Sequence, residues 1–172
     1  MTSNAPEGQR ILGTLRTENG VGVVRIEDRF DAAIDEVWSA LTDPTRLARW
    51  YGEVEGDLSL GGEFRSRVFA SGWEGTGRIT TCEPPRRLAT VSREPGRDES
   101  VHEVTLTADG DQTVIVYENL SVPPDLLWAY GTGEQIHVED LGAHLAGLER
   151  NGDEARWAAL ESAYRELAAK LG

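Results

Sequence analysis

The chain has 172 residues, of which 39% are hydrophobic and 27% charged, a composition typical of one folded domain rather than of a disordered chain. Its 30 acidic and 17 basic side chains give a formal net charge of −13. This excess of acid disfavours nucleic acid and anionic membrane surfaces as partners, because both are bound through Lys and Arg.

The first ten residues predict a flexible tail, followed by a single domain over residues 11–172. The tail lacks the apolar core of a signal peptide, and no apolar run in the chain is long enough to span a bilayer. Cys82 is the only cysteine, so no disulfide forms within the chain. We therefore expect a cytoplasmic protein.

Two strands are predicted at residues 11–16 and 21–30. Asn19-Gly20 between them favours the positive φ values of a tight hairpin turn. A helix is predicted next, because four apolar residues recur at one helical face: Ile34, Val37, Trp38 and Leu41.

Asp43 is placed to cap a second short helix, whose first position is Pro44. Short strands are then predicted at residues 54–60, 63–69, 73–82, 87–93, 101–107 and 113–120. Turn signals such as Asp109-Gly110-Asp111 separate them. Strands this close in sequence indicate an antiparallel meander.

A long helix is predicted to begin near Thr132, whose hydroxyl can cap it, and to end before a break at Asn151-Gly152-Asp153. A terminal amphipathic helix is predicted over residues 153–171. Its apolar stripe consists of Trp157, Leu160, Tyr164, Leu167 and Leu171. This stripe has to bury against the chain's own sheet or against a second copy in a homodimer.

Three ordered segments follow a known family pattern. The first comprises Phe30-Asp31-Ala32-Ala33, Glu36-Val37-Trp38, Ala40-Leu41-Thr42-Asp43-Pro44, Leu47 and Trp50. The second comprises Glu55-Gly56-Asp57, Gly61-Gly62, Gly77 and Glu83-Pro84-Pro85-Arg86-Arg87-Leu88. The third comprises Leu141-Gly142-Ala143-His144-Leu145, Trp157, Leu160 and Tyr164. Together they resemble the SRPBCC (START-related) superfamily, and within it the activator of heat shock protein 90 ATPase homologue family. Ala33 stands where that family usually has Pro, and Gly133-Glu134 where it often has Gly-Trp.

The resemblance implies an α+β helix-grip fold, in which a curved antiparallel sheet wraps around a long C-terminal helix, with two short helices after the first strands. It also implies a cavity between sheet and helix. The aromatic candidates for its lining are Trp50, Tyr51, Phe69, Trp73, Tyr117, Trp128 and Tyr130, since each offers a large apolar face. Glu134 and His137 are the polar candidates, whereas Trp38, Trp157 and Tyr164 are predicted to be core.

Three functions follow from these observations. The first is binding of a small hydrophobic ligand in the cavity. The second is a cyclase or dehydratase that uses Glu134, His137 and Glu118 as acid/base groups. The third is a co-chaperone acting on a chaperone ATPase, as the family's name implies.

Binding rather than catalysis is favoured, because phosphate-binding, zinc-protease, hydrolase and dinucleotide motifs are missing from the sequence. His137, Asp140 and His144 share one helix face, but a third nitrogen or sulfur ligand would have to come from His102 or Cys82. We therefore predict no metal and no cofactor.

Overall fold

The computed structural model describes residues 10–150, 152 and 154–171, and these form eight strands and four α-helices. The strands are β1 Gly13–Glu18, β2 Val21–Phe30, β3 Gly52–Gly56, β4 Glu63–Val68, β5 Glu74–Glu83, β6 Arg87–Arg93, β7 Ser100–Asp109 and β8 Gln112–Val122. The helices are α1 Ile34–Thr42, α2 Pro44–Trp50, α3 Leu127–Leu145 and α4 Glu154–Ala169. Apart from Arg10, the predicted tail lies outside the described residues, as do Asn151 and Asp153 of the predicted break. No helix within the described ranges is long and apolar enough to cross a lipid bilayer.

All eight strands form one antiparallel sheet in the order β1-β2-β8-β7-β6-β5-β4-β3. Strands from β3 to β8 follow the predicted meander, and β8 returns to pair with β2, with Tyr117 opposite Ile26. Register shifts in β2 and β5 mark irregularities that bend strands. The sheet wraps around α3, so the predicted helix-grip fold is confirmed.

The local signals in the first third of the chain produce the predicted elements. Asn19 and Gly20 adopt φ values of 52° and 81° in the β1–β2 turn. The Asp43 carboxylate accepts a hydrogen bond of 2.9 Å from the Thr45 N–H and caps α2. β3 is shorter than predicted, because the chain turns at Gly56, whose φ of 129° favours glycine.

Helix α3 begins at Leu127, five residues before the predicted start at Thr132. Pro123 and Pro124 end β8, and a 3₁₀ turn at Pro124–Leu126 leads directly into the helix. Thr132 is not a cap, since its hydroxyl donates to the Trp128 carbonyl oxygen at 2.8 Å within the helix. The helix thus follows the end of β8, an interior strand of the sheet, with only this short turn between them.

Helix α4 packs against α3 and the start of β1, rather than on the sheet face. Leu160 and Tyr164 of its apolar stripe are fully buried. The Tyr164 ring lies so close to Gly131 of α3 and Gly13 of β1 that a Cβ at either position would collide with it. The centre of the stripe is thus covered within the chain, by α3 and β1. A homodimer was one of the two alternatives for burying this stripe.

The fully buried amide of Gln135 joins β1, α3 and α4. Its Oε1 accepts hydrogen bonds from the Leu12 N–H at 2.9 Å and the Tyr164 hydroxyl at 2.6 Å. Its Nε2 donates to the Arg10 carbonyl at 2.6 Å and to Glu139 Oε2 at 3.0 Å. Both donors and both acceptor positions of the amide are used, which fixes the rotation of α3 about its axis.

We expect the α3–α4 contact to depend on the missing side chain of Gly131. In Gly131→Ala the new Cβ would lie 2.6 Å from the Tyr164 ring, which is fully buried and held by its hydroxyl's hydrogen bond to Gln135. The substitution should lower the free energy of unfolding by about 1–3 kcal/mol, measured by urea denaturation.

The matched control is Gly133→Ala in the same helix, whose Cβ meets only Trp157 at 3.7 Å. Its gain in helix propensity should raise stability by up to about 1 kcal/mol. Equal effects of the two substitutions would contradict the predicted collision.

Candidate ligand-binding cavity

A cavity of about 1080 Å³ lies between the sheet and α3. Known small-molecule sites span about 300–1,000 Å³, so the space is large enough for a drug-sized molecule. Its inner wall is apolar and comes from α2, α3 and the strands β3 to β8. The inner apolar residues include Leu47, Val54, Phe64, Ile79, Leu88, Val104, Ile115 and Leu141.

One end of the sheet forms the mouth of the cavity. The β1–β2, β4–β5 and β6–β7 turns and the β8–α3 junction all lie at this end of the antiparallel sheet, and all contribute lining residues. Trp73 lines it from the β4–β5 turn and Tyr130 from α3. The β6–β7 turn adds charged side chains to the lining: Glu94, Arg97, Asp98 and Glu99.

The apolar wall is interrupted by a polar cluster, which we define as Tyr51, His102, Tyr117, Glu134 and His137. Glu134 and His137 are three residues apart on α3 and therefore share its inward face. The other three come from β7, β8 and the residue after α2. Helix periodicity and strand pairing thus bring the cluster together on one wall.

Glu134 is the most buried member of the polar cluster, with 6% of its surface exposed. Its Oε1 accepts a 2.8 Å hydrogen bond from Nδ2 of Asn119. Oε2 is fully buried, and the Tyr117 hydroxyl lies close enough to the carboxyl group to help to lower its pKa. Burial raises the pKa of Glu134 to about 8, although Asn119 and Tyr117 counteract part of this shift. The carboxyl group is therefore mostly protonated at neutral pH.

The other members of the polar cluster are also uncharged at neutral pH. Burial lowers the pKa values of His102 and His137 to about 4 and raises that of Tyr51 to about 12. His102 contacts the Tyr117 hydroxyl through Nδ1 and lies 3.2 Å from the Ser92 hydroxyl through Nε2. His137 packs 5.2 Å from the Tyr51 ring, and its buried Nδ1 has no partner among the described residues.

The structure places most of the predicted site residues on the cavity wall. These are Trp50, Tyr51, Trp73, Tyr117, Tyr130, Glu134 and His137. The Trp50 indole also donates to the Ala40 carbonyl at 3.0 Å, which holds α2 against α1.

Phe69 and Trp128 are not among the residues that line the cavity. Phe69 is 39% exposed after β4, with the Arg150 guanidinium 5.9 Å from its ring centre. Trp128 lies nine residues before His137 on α3, about 2.5 turns, and so faces the opposite side. There the guanidinium of Arg165 stacks over its ring at 3.4 Å.

Three lining or supporting residues were not predicted. Asn119 positions Glu134 and was not singled out, although its spacing of two from Tyr117 on β8 indicates the same face. His102 was considered only as a metal ligand. Trp157 was predicted to be core and instead reaches the cavity wall from α4.

Three polar residues that the sequence put forward are not among the cavity-lining residues: Glu118, Asp140 and His144. Glu118 pairs with Arg16 at 3.4 Å on the other face of the sheet, as strand alternation requires. His144 accepts from Nε of Arg46 at 3.2 Å, and Asp140 is paired with Arg156 at 3.1 Å. His137, Asp140 and His144, the α3 residues considered as metal ligands, therefore each have different neighbours.

Comparisons with known proteins agree with this architecture. Residues 31–154 match the family described as Activator of Hsp90 ATPase homolog 1-like protein. CalU16 from Micromonospora echinospora is 30% identical; its crystal structure gives a TM-score of 0.75 over 92% of this chain and 95% of that chain. The solution NMR structure of CalU16 gives 0.76 over 96% and 97%, also at 30% identity.

A more distant likeness is to DynU16, a protein in the dynemicin biosynthetic locus. It is 27% identical, with a TM-score of 0.69 over 76% of this chain and 50% of that chain. No curated protein gives a significant match.

We expect Glu134 to make the stability of the protein depend on pH. The folded state keeps its proton up to about pH 8, whereas the unfolded chain releases it near the ordinary value of 4.5. The contribution of Glu134 to stability is therefore fully present below about pH 4.5 and is lost as the pH rises through 8. Each pH unit in this interval is worth about 1.4 kcal/mol, giving a total on the order of 5 kcal/mol.

Glu134→Gln should remove this dependence while keeping the bond to Asn119. The measurement is urea unfolding from about pH 5 to about pH 9, with Glu118→Gln as the matched control outside the cavity. Parallel stability profiles for the wild type and Glu134→Gln would contradict the prediction.

Proposed function

The chain belongs to the family of Activator of Hsp90 ATPase homolog 1-like proteins, and on this basis we propose that it binds a small, largely apolar molecule in the cavity between its sheet and α3. One observation carries the proposal: a cavity of about 1080 Å³ with a mainly apolar inner wall contains a single polar cluster, to which α3 contributes Glu134 and His137. Ligand sites in proteins combine an apolar lining with a few placed polar groups in this way.

The aromatic lining gives the proposed ligand its apolar contacts. Trp50, Tyr51 and Tyr117 lie towards the inner wall, and Trp73 and Tyr130 lie near the mouth. Flat side chains of this kind favour a ligand with ring systems that can stack or pack edge to face. The polar cluster would then orient the molecule within the apolar space.

The solved relatives support a ligand made by a biosynthetic pathway. DynU16 belongs to the dynemicin biosynthetic locus. By this likeness we include a metabolite as ligand in the proposal. The cytoplasmic location expected from the sequence is also part of the proposal. A chaperone partner, which the family's description suggests, is not part of the proposal, since the argument rests on the cavity.

A second candidate function is proton transfer to or from the bound molecule. It is favoured by Glu134, whose pKa of about 8 and position on the cavity wall suit a group that takes and returns a proton near neutral pH. In this case the cavity would act as a cyclase or dehydratase site with Glu134 as its acid/base group.

The binding proposal predicts different roles for two tryptophans. Trp73→Ala removes a lining face and should weaken binding of the uncharged dye Nile red by about tenfold, measured by fluorescence titration. Trp128→Ala is the matched control, because its ring packs under Arg165 outside the cavity and its loss should leave the dye's affinity unchanged. Equal effects of the two substitutions, or failure of the wild type to bind the dye, would count against the cavity as the binding site.

The proton-transfer candidate predicts that the protein accelerates exchange of the α-protons of a small ketone, 2-tetralone, in D₂O. Glu134→Gln should abolish the acceleration, because an amide can hydrogen-bond the ketone but cannot accept its proton. NMR follows the loss of the α-proton signal. An exchange rate that stays at the buffer background with wild-type protein would exclude this function for such ketones.

A further inference from the structure

We propose that the ligand is a glycoside, with its sugar ring in the outer half of the cavity and its apolar part in the inner half. The inference rests on the proposed function, because it assigns a chemical class to the molecule bound in the same cavity. It is carried by a group of hydroxyl side chains on the sheet and by two aromatic rings beside them.

Of the hydroxyl side chains that line the cavity, four lie together on adjacent strands, and we define them as the hydroxyl patch: Thr90 and Ser92 of β6, Ser100 of β7 and Ser121 of β8. Ser92 pairs with Ser100, and Thr90 lies two residues from Ser92 on the same face. Ser121 lies two residues after Asn119, whose pairing with His102 continues this face onto β8. Adjacent strands are about 4.8 Å apart and alternate residues about 7 Å apart, so the hydroxyl patch covers about 7 by 10 Å.

The hydroxyl patch keeps hydrogen-bonding capacity for a ligand. The half-buried Thr90 and Ser100 hydroxyls make no hydrogen bond to another described residue. The Ser121 Oγ accepts from the Val101 N–H at 2.7 Å and keeps its own hydrogen for donation. A hydroxyl group both donates and accepts, so the patch is complementary to ligand hydroxyls, which do the same.

Two aromatic rings cover the strand next to the hydroxyl patch. Phe64 of β4 pairs with Gly77 of β5, and its ring lies so close that a Cβ at Gly77 would collide with it. Gly77 pairs on its other side with Ser92. The Trp73 ring lies against Gly75 in the same way, two residues nearer the mouth. Both rings line the cavity, so flat apolar surface borders the hydroxyl patch along β5.

A sugar ring suits this combination of surfaces. Its faces carry C–H groups, which can pack against an aromatic ring, and its edge carries hydroxyls, which can bond to the hydroxyl patch. A ligand without hydroxyls would displace water from the patch and leave the lost hydrogen bonds unreplaced. The apolar inner wall then takes the non-sugar part of the molecule.

The charges near the mouth favour a neutral sugar over an acidic or phosphorylated one. The side chains of the hydroxyl patch carry no charge. The β6–β7 turn beside it adds Glu94, Asp98 and Glu99 to the lining, and its one cation, Arg97, is paired with Glu94 at 3.3 Å. An anionic sugar would therefore enter against a repulsive field.

The test compares 2-naphthyl β-D-glucopyranoside with 2-methoxynaphthalene, which share the ring system and its ether oxygen and differ by the sugar. Each competes with Nile red for the wild type and for Thr90→Val/Ser100→Ala. The variant should bind the glucoside about three- to tenfold more weakly, whereas its affinity for 2-methoxynaphthalene should be unchanged. It should also fold normally, because neither hydroxyl has a partner to lose.

The matched control is Thr105→Val/Thr107→Val, which removes two exposed hydroxyls from the outer face of β7. These residues alternate with the buried Val104 and Leu106, so they point away from the cavity. The control should bind both compounds as the wild type does.

Saturation-transfer NMR on the wild type provides a second readout that needs no variant. Saturation of the protein's methyl signals should reach the sugar protons of the bound glucoside as well as its naphthyl protons. Sugar signals that receive no saturation would place the sugar in solvent and overturn the inference.

The outcomes separate this inference from the proposed function. The inference is wrong, while the cavity remains a binding site, if only 2-methoxynaphthalene displaces the dye or if the Thr90→Val/Ser100→Ala variant affects both compounds equally. Tighter binding of the anionic 2-naphthyl β-D-glucuronide than of the glucoside would also contradict it. If neither compound displaces Nile red, or if the dye does not bind, the proposed function fails and the inference fails with it.

Discussion

The rest of the site depends on the buried amide of Gln135. Its hydrogen bonds to the backbone of residues 10 and 12 and to Tyr164 hold β1 and α4 on one side of α3. Once that side is fixed, the helix repeat turns Glu134 and His137 towards the sheet. The two α3 members of the polar cluster are thus positioned by contacts on another side of the helix, outside the cavity. Tyr164 adds a steric constraint to the same joint, because its ring occupies the space left by Gly131 and Gly13.

Desolvation gives the cavity its chemical character. Glu134, His102, His137, Tyr51 and Tyr117 are five titratable side chains, and burial displaces the pKa of each towards its neutral form. The wall therefore presents donors and acceptors without charges. The uncharged polar groups of this wall distinguish it from the chain as a whole, which is strongly acidic. It also makes the direction of each hydrogen bond informative, as the Asn119–Glu134 pair shows.

Features that depend on neighbouring residues were predictable from the sequence, and features that depend on the relative rotation of distant elements were less so. Asp43 and Asn19-Gly20 act through their own backbone, and the structure has the predicted cap and turn. Trp128 was assigned to the cavity from its place in a presumed loop, whereas α3 already includes it and turns it away. Asn119 lies opposite His102 across β7 and β8, and its role depends on a helix that begins eight residues later. Such a three-element contact has no signature in sequence spacing.

The acidic turn at the cavity mouth has a consequence for kinetics. Glu94, Asp98 and Glu99 outnumber Arg97, which is itself paired with Glu94 at 3.3 Å. The entrance therefore carries a negative potential that the net charge of −13 reinforces. Anions approach such an entrance against a repulsive field that falls off with the Debye length, about 8 Å at physiological ionic strength. An uncharged molecule is not slowed by that field, so the rate at which it enters depends on diffusion and orientation and is insensitive to salt.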